Sequence, residues 1–232
     1  MTIAVIKLLG TNAERDMYRV LSAIPQAKPF VASTRDKMSA VADADGIIIP
    51  GGFYRRDLVD PKMTSYSNEI MTTIIEAANE GKPILGVAHG FQTLAEFGIL
   101  PGELVTNISG RFVCRWTYLR VSQNASVYTE DLEGAIIRLP IAHRAGRFKI
   151  RKTQLKKLNE ANLIPVRYCD ADGSVTEDAN PDGSVENVAG VLNDKGNVFG
   201  MMPYPERASR PLLSSTDGLV ILRNFVKATR MS

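Results

Sequence analysis

Pro83-Ile84-Leu85-Gly86-Val87-Ala88-His89-Gly90-Phe91-Gln92-Thr93-Leu94 reads as a short apolar strand, a sharp turn flanked by glycines, and a helix that begins at once. In α/β enzymes such a junction carries a nucleophile at its apex, because the tight turn lifts one side chain beside the helix N-terminus. The apex here is Ala88. A methyl group has no lone pair to donate and no proton to lose, so nucleophilic catalysis cannot begin from it. One stretch thus indicates the fold and puts the activity in question.

Outward from this junction, Ile3 to Leu8 is continuously apolar apart from Lys7, and Gly46 to Ile49 is a second such run. Both have the pattern of strands buried on two faces. The first ends in Leu9-Gly10-Thr11-Asn12, and Asn12 is the expected N-cap of a helix carrying Met17, Val20, Leu21 and Ile24 up to Pro25. The other ends in Pro50-Gly51-Gly52-Phe53, where glycines let backbone N–H groups approach a ligand at the carboxyl end of a strand. Val31 begins a short strand, and Tyr54 to Asn68 shows no period. Ile70, Met71, Ile74, Ile75 and Ala78 mark a helix closed by Gly81, and Phe91, Leu94 and Ala95 mark one that stops at Gly98. This alternation predicts a parallel sheet covered on both faces.

The second half differs. Phe112 to Val121, Gly134 to Leu139, Ile164 to Tyr168, Asn187 to Leu192 and Asn197 to Met201 read as strands, with turns at Asp172-Gly173, Asp182-Gly183 and Lys195-Gly196. Antiparallel additions to the sheet are expected there. A last helix starts near Asp217 and carries Leu219, Leu222 and Val226. At 232 residues, one domain spanning 1–232 is the expectation.

Composition narrows the function classes. With 44% hydrophobic and 23% charged residues the chain is of soluble globular type. It has no apolar run of membrane-spanning length and no charged leader before Met1-Thr2-Ile3-Ala4-Val5-Ile6, which together predict a cytoplasmic protein without a membrane partner. A net charge of +3 with scattered cations argues against a nucleic-acid partner. Cys114 and Cys169 are expected to be reduced, packed thiols, and two histidines with two unrelated cysteines make no metal motif.

Seven stretches in order carry a resemblance along almost the whole chain: Pro50–Phe53, Gly86–Gln92, Gly98–Gly102, Arg111–Arg115, Pro140–His143, Ala179–Ser184 and Gly200–Arg207. Together they resemble the class I glutamine amidotransferase family, in particular the small glutaminase subunit of phosphoribosylformylglycinamidine synthase. The resemblance implies a three-layer α/β sandwich with a flavodoxin-like core and a mostly parallel twisted sheet. It also implies a place in purine biosynthesis, a large ATP-dependent ligase as partner, a small accessory subunit in the assembly, and no cofactor. In the family a cysteine attacks the glutamine carboxamide, a histidine relays protons and a glutamate orients the histidine. By motif position these roles fall on Ala88, Tyr204 and Glu206, so nucleophile and base are replaced and only the acid is retained.

The resemblance puts substrate binding on Gly51, Gly52, Phe53, His89 and Gln92, with Arg55 and Arg56 standing where the family has small residues. His89 replaces an asparagine, and Arg144-Ala145 replaces Gly-Glu. A phenol with a reference pKa near ~10 is a poor general base at neutral pH, and losing the nucleophile of a comparable triad costs on the order of 10⁶ in turnover. The leading expectation is a subunit that does not hydrolyse glutamine and acts structurally or regulatorily. The alternatives are an amidase using His89, Glu206 or Cys114, and a small-anion site in the emptied pocket. Glu206-Arg207 is expected to form a local ion pair, and His143 to be a hydrogen-bonded part of the fold.

Overall fold

A computed structural model describes residues 1–33, 36, 38–52, 64–124 and 126–230, with backbone only for 64–68. Among the described residues eleven strands and six α-helices follow one another as β1 (Thr2–Lys7), α1 (Glu14–Ser22), β2 (Lys28–Ser33), α2 (Met38–Ala42), β3 (Gly46–Ile49), α3 (Thr64–Asn79), β4 (Ile84–Val87), α4 (His89–Glu96), β5 (Glu103–Val105), β6 (Val113–Val121), β7 (Ile136–His143), β8 (Arg147–Lys149), α5 (Lys152–Glu160), β9 (Val166–Cys169), β10 (Val188–Leu192), β11 (Val198–Met201) and α6 (Asp217–Ala228). Nine strands form one sheet in the order β2-β1-β3-β4-β11-β10-β9-β6-β7, and β5 pairs with β8 in a separate ribbon.

The sheet has two halves. From β2 to β11 every pairing is parallel, with Val5 beside both Val31 and Ile48, and Gly200 beside Gly86. From β11 to β7 every pairing is antiparallel. The inner parallel strands β3, β4 and β11 are short runs in which successive residues are all buried, such as Ile47 to Ile49 and Ile84 to Val87, while β2 at the edge is mostly exposed or half-buried. Successive side chains of a strand point to opposite faces, so this pattern means that both faces are covered. The architecture is the mixed α/β sandwich expected from the sequence.

Several local expectations are corrected. Asn12 does not cap α1: the cap residue is Ala13 and no side chain bonds the helix end. The amides of Asn12 and Ala13 instead donate to the Gly51 carbonyl at 3.2 Å, which ties the turn after β1 to the turn after β3. α3 starts at Thr64, inside the stretch without a period. The strand from Gly134 runs on as β7 through Pro140 to His143; β7 is the outer strand, where a missing N–H breaks no pairing on its free side. α5 and the β5–β8 ribbon were not expected. Cys169 is buried but Cys114 is exposed, on the stretch of β6 that pairs with β7 before the pairing with β9 begins at Tyr118. No described helix is long and apolar enough to cross a membrane.

Candidate active site

The carboxyl ends of β3, β4 and β11 lie side by side, and the residues that follow them build the site. Pro50-Gly51-Gly52 follows β3, and Gly52 makes an isolated bridge to Thr11. A Cβ on Gly52 would stand 2.2 Å from the Gly10 carbonyl oxygen, so only glycine allows the two turns to touch. After β4 the chain reverses at Ala88, whose φ of 47° and ψ of −102° are a conformation that side-chain-bearing residues rarely adopt. Its amide donates to Met201 at 2.8 Å and its carbonyl accepts from the Gln92 amide at 3.0 Å, fixing the turn to β11 and to α4. Gly90 lets α4 rest on β3, since a Cβ there would lie 2.0 Å from the Ile49 oxygen. The result is a nucleophile elbow, with the first N–H groups of α4 left without partners inside the helix. Its apex carries only a buried methyl group.

Tyr204 follows β11, and its ring lies against Gly51: a Cβ on that glycine would be 2.2 Å from Cε1. The phenol is buried, donates to the Ala142 carbonyl at 3.4 Å, and is covered by the Arg207 guanidinium 4.3 Å from the ring centre. Burial, helped by the neighbouring Glu206, pushes its pKa up to about 12. Tyr204 therefore stays protonated at neutral pH and cannot serve as the base.

Glu206 sits in the one-turn 3-10 helix Pro205–Ala208 and is 2% exposed. Among the described residues neither carboxyl oxygen has a hydrogen-bond partner. Burial raises its pKa to about 7 against the smaller opposing effects of its own amide and of Arg207. The expected Glu206–Arg207 ion pair is not formed: Arg207 stacks on Tyr204, and no ion pair at either residue occurs among the described residues. A buried carboxyl without a donor is unusual and costly.

These groups border an open cavity of about 580 Å³ between the elbow and the loops on either side of the β5–β8 ribbon. Ala88, Gly52, His89, Gln92 and Tyr204 line it, as their sequence positions implied. Gln92 is not offered to the cavity alone, because its amide donates to the Ala145 carbonyl at 2.6 Å. Gly51 supports the wall from behind Tyr204. Phe53, Arg55 and Arg56 lie outside the described residues. Asn12, Thr106, Phe112, Arg144 and Arg207 also line the cavity and were not singled out as binding residues. Arg144 had a signal, since it departs from the resembled motif, and Phe112 lies in the resembled stretch Arg111–Arg115; Thr106 had none, because it arrives through a loop. No carboxylate lines the cavity among the described residues, and no cluster of three or more His, Cys, Asp or Glu there could hold a metal.

Residues 1–218 match the CobB/CobQ-like glutamine amidotransferase domain. The phosphoribosylformylglycinamidine synthase subunit PurQ of Aquifex aeolicus is 41% identical over 95% of this chain and 97% of its own length. PurQ of Methanosarcina barkeri is 39% identical over 97% of both chains. The chain belongs to the PurQ family of glutamine amidotransferases. Among solved structures, PurLQS from Thermotoga maritima matches with a TM-score of 0.81 at 35% identity, over 97% of each chain. A putative GMP synthase subunit from Thermoplasma acidophilum, 15% identical with a TM-score of 0.66 over the whole chain, shares the fold alone. In this PurQ-family chain Ala88 stands at the apex of the elbow, and Tyr204 and Glu206 follow β11.

Proposed function

We propose that this PurQ homologue, acting as one unit over residues 1–232, does not hydrolyse glutamine and serves as a structural or regulatory subunit of a purine-pathway ligase. The observation that supports this most directly is Glu206. Its carboxyl is buried, lacks a hydrogen-bond donor among the described residues, and has a pKa raised to about 7. A triad acid needs a neighbouring imidazole to justify its burial, and Tyr204 supplies none. With a methyl group at the elbow, no acyl-enzyme can form at position 88. The partner inferred from the PurLQS assembly is a large PurL-type subunit, with a small accessory subunit beside it; such a ligase would draw on free ammonia.

The test is ammonia release from glutamine by the purified chain, alone and with its cognate large subunit, beside an Ala88→Cys, Tyr204→His double variant. No release by the natural chain is expected in either setting, together with co-purification with the large subunit. Release that survives repurification would overturn the reading and turn attention to His89, Glu206 and Cys114. A second reading, a small-anion site, is favoured by a lining that contains His89, Arg144 and Arg207 but no carboxylate among the described residues. A thermal-shift screen with carboxylates and nucleotides checks it, since a ligand of the native state raises stability.

A further inference from the structure

The cavity wall beside Tyr204, at the end of β7, holds a buried polar cluster outside the elbow, Tyr204 and Glu206. His143, at the end of β7, has a side chain only 4% exposed, and Asp182, in the loop before β10, is fully buried. Each nitrogen of the imidazole faces a protein oxygen: Nδ1 lies 3.2 Å from Asn107 Oδ1, and Nε2 lies 3.6 Å from Asp182 Oδ2. Gly146 holds the ring in place, since a Cβ there would be 2.1 Å from Cε1.

The orientation of Asn107 is settled by its other contacts. Its Nδ2 donates to the carbonyls of Arg111 and His143 at 2.9 and 3.0 Å, and its Oδ1 accepts the Gly146 amide at 3.0 Å. Oδ1 can only accept, so Nδ1 of His143 must carry the proton. In the neutral imidazole Nε2 is then a bare lone pair, and it points at a carboxyl oxygen. Two lone pairs at this separation in a buried site repel, unless a proton stands between them. The other carboxyl oxygen, Oδ1 of Asp182, already accepts the amide and hydroxyl of Ser184 at 2.9 and 2.6 Å.

We infer that His143 and Asp182 form a one-proton latch: Asp182 Oδ2 carries a proton aimed at His143 Nε2, both atoms lack another hydrogen-bond partner among the described residues at their 3.6 Å separation, and closing this gap to a hydrogen bond fastens the loops that frame the cavity. Burial pushes the Asp182 carboxyl up to about 6 and the His143 imidazole down to about 4, so both groups are driven towards the neutral forms that this bond requires. Against burial, the Ser184 hydroxyl and amide, then the Tyr168 hydroxyl on β9 and, least, Arg147 on β8 favour the carboxylate, while Arg115 on β6 acts on Tyr168.

Three segments are joined through the latch. The Asp182 carbonyl accepts the Ile108 amide at 2.9 Å, and the Arg144 carbonyl accepts the Asn107 amide at 2.8 Å. Thr106, Phe112, His143, Arg144 and Ala145 of these segments line the cavity. Loss of the proton places a carboxylate against the imidazole lone pair and loosens this frame, which makes access to the cavity dependent on pH without any contribution from Glu206 or Tyr204.

The test is ¹⁵N NMR of the histidine rings from pH 5 to 8, with amide hydrogen exchange read at Ile108 and Gly146. The expected result is a neutral His143 with its proton on Nδ1, and a shift step near pH 6. Over the same range the two amides exchange several-fold faster once the intrinsic pH effect is removed. In Asp182→Asn the new amide donates to Nε2 at every pH, so the step and the acceleration vanish while the fold is kept. A proton on Nε2 of the neutral ring in the natural protein, which needs no variant to observe, would overturn the latch. So would an unchanged step in Asp182→Asn.

Discussion

Two walls of one cavity treat a buried carboxyl in opposite ways. On the His143 wall, one oxygen of Asp182 accepts the Ser184 amide and hydroxyl and the other faces an imidazole nitrogen at 3.6 Å. Beyond the Tyr204 wall, Glu206 is just as deeply buried, yet nothing among the described residues donates to it. The difference is between a carboxyl tied into a hydrogen-bond network and one left outside any network among the described residues. A carboxyl embedded in a hydrogen-bond network contributes to the fold; a carboxyl that has lost its partner costs stability whenever it is ionised.

The contrast can be broken first at Asp182. Asp182→Ala removes the two hydrogen bonds its carboxyl accepts from Ser184 and leaves His143 facing a void, so urea unfolding is expected to show a loss of about 3 kcal/mol. Glu206→Gln should act in the other direction. The folded-state pKa of Glu206 is raised from 4.5 to about 7, so the folded state binds the extra proton. Its stability is therefore complete below pH 4.5 and declines as pH rises towards 7. The variant is expected to gain about 2 kcal/mol at pH 8 and almost nothing at pH 4, which paired denaturation curves would check. A gain at both pH values would show that packing, rather than charge, is the cause.

Smaller effects sharpen the same contrast. Ala88→Gly relieves a backbone held at positive φ, and a Tm increase corresponding to about 1 kcal/mol is expected. Arg207→Ala loses its stacking on Tyr204, a change of about 0.5 kcal/mol, and moves the midpoint of the Glu206 titration upward because the guanidinium favours the carboxylate. NMR titration of a ¹³C-labelled glutamate side chain would read that midpoint.

The parallel half of the fold was legible because its strands are unbroken apolar runs ended by glycines, and because the elbow has one reading. α5 was not, since only Leu155 and Leu158 of its nine residues are buried and the rest are polar or charged. The site was legible at Ala88, Tyr204, Glu206 and His89, where motif order fixes position. Asn12 was misread because a residue type favoured at helix caps here lines a cavity. Glu206 and Arg207 are neighbours in the chain but project apart from a tight 3-10 turn, which adjacency does not reveal. The His143–Asp182 pair was hidden for the opposite reason: 39 positions separate residues that a loop brings together, and neither motif predicts its partner.

The place of β11 has a consequence for synthesis. The last strand of the chain is inserted between β4 and β10 in the middle of the sheet, and its Met201 carbonyl anchors Ala88. A nascent chain that has already emitted the elbow must wait for more than a hundred further residues before that anchor exists. Until then the inner side of β4 is an unprotected edge, open to pairing with other chains. A ribosome that stalls short of residue 198 would release not a weakened cavity but an adhesive half-sheet.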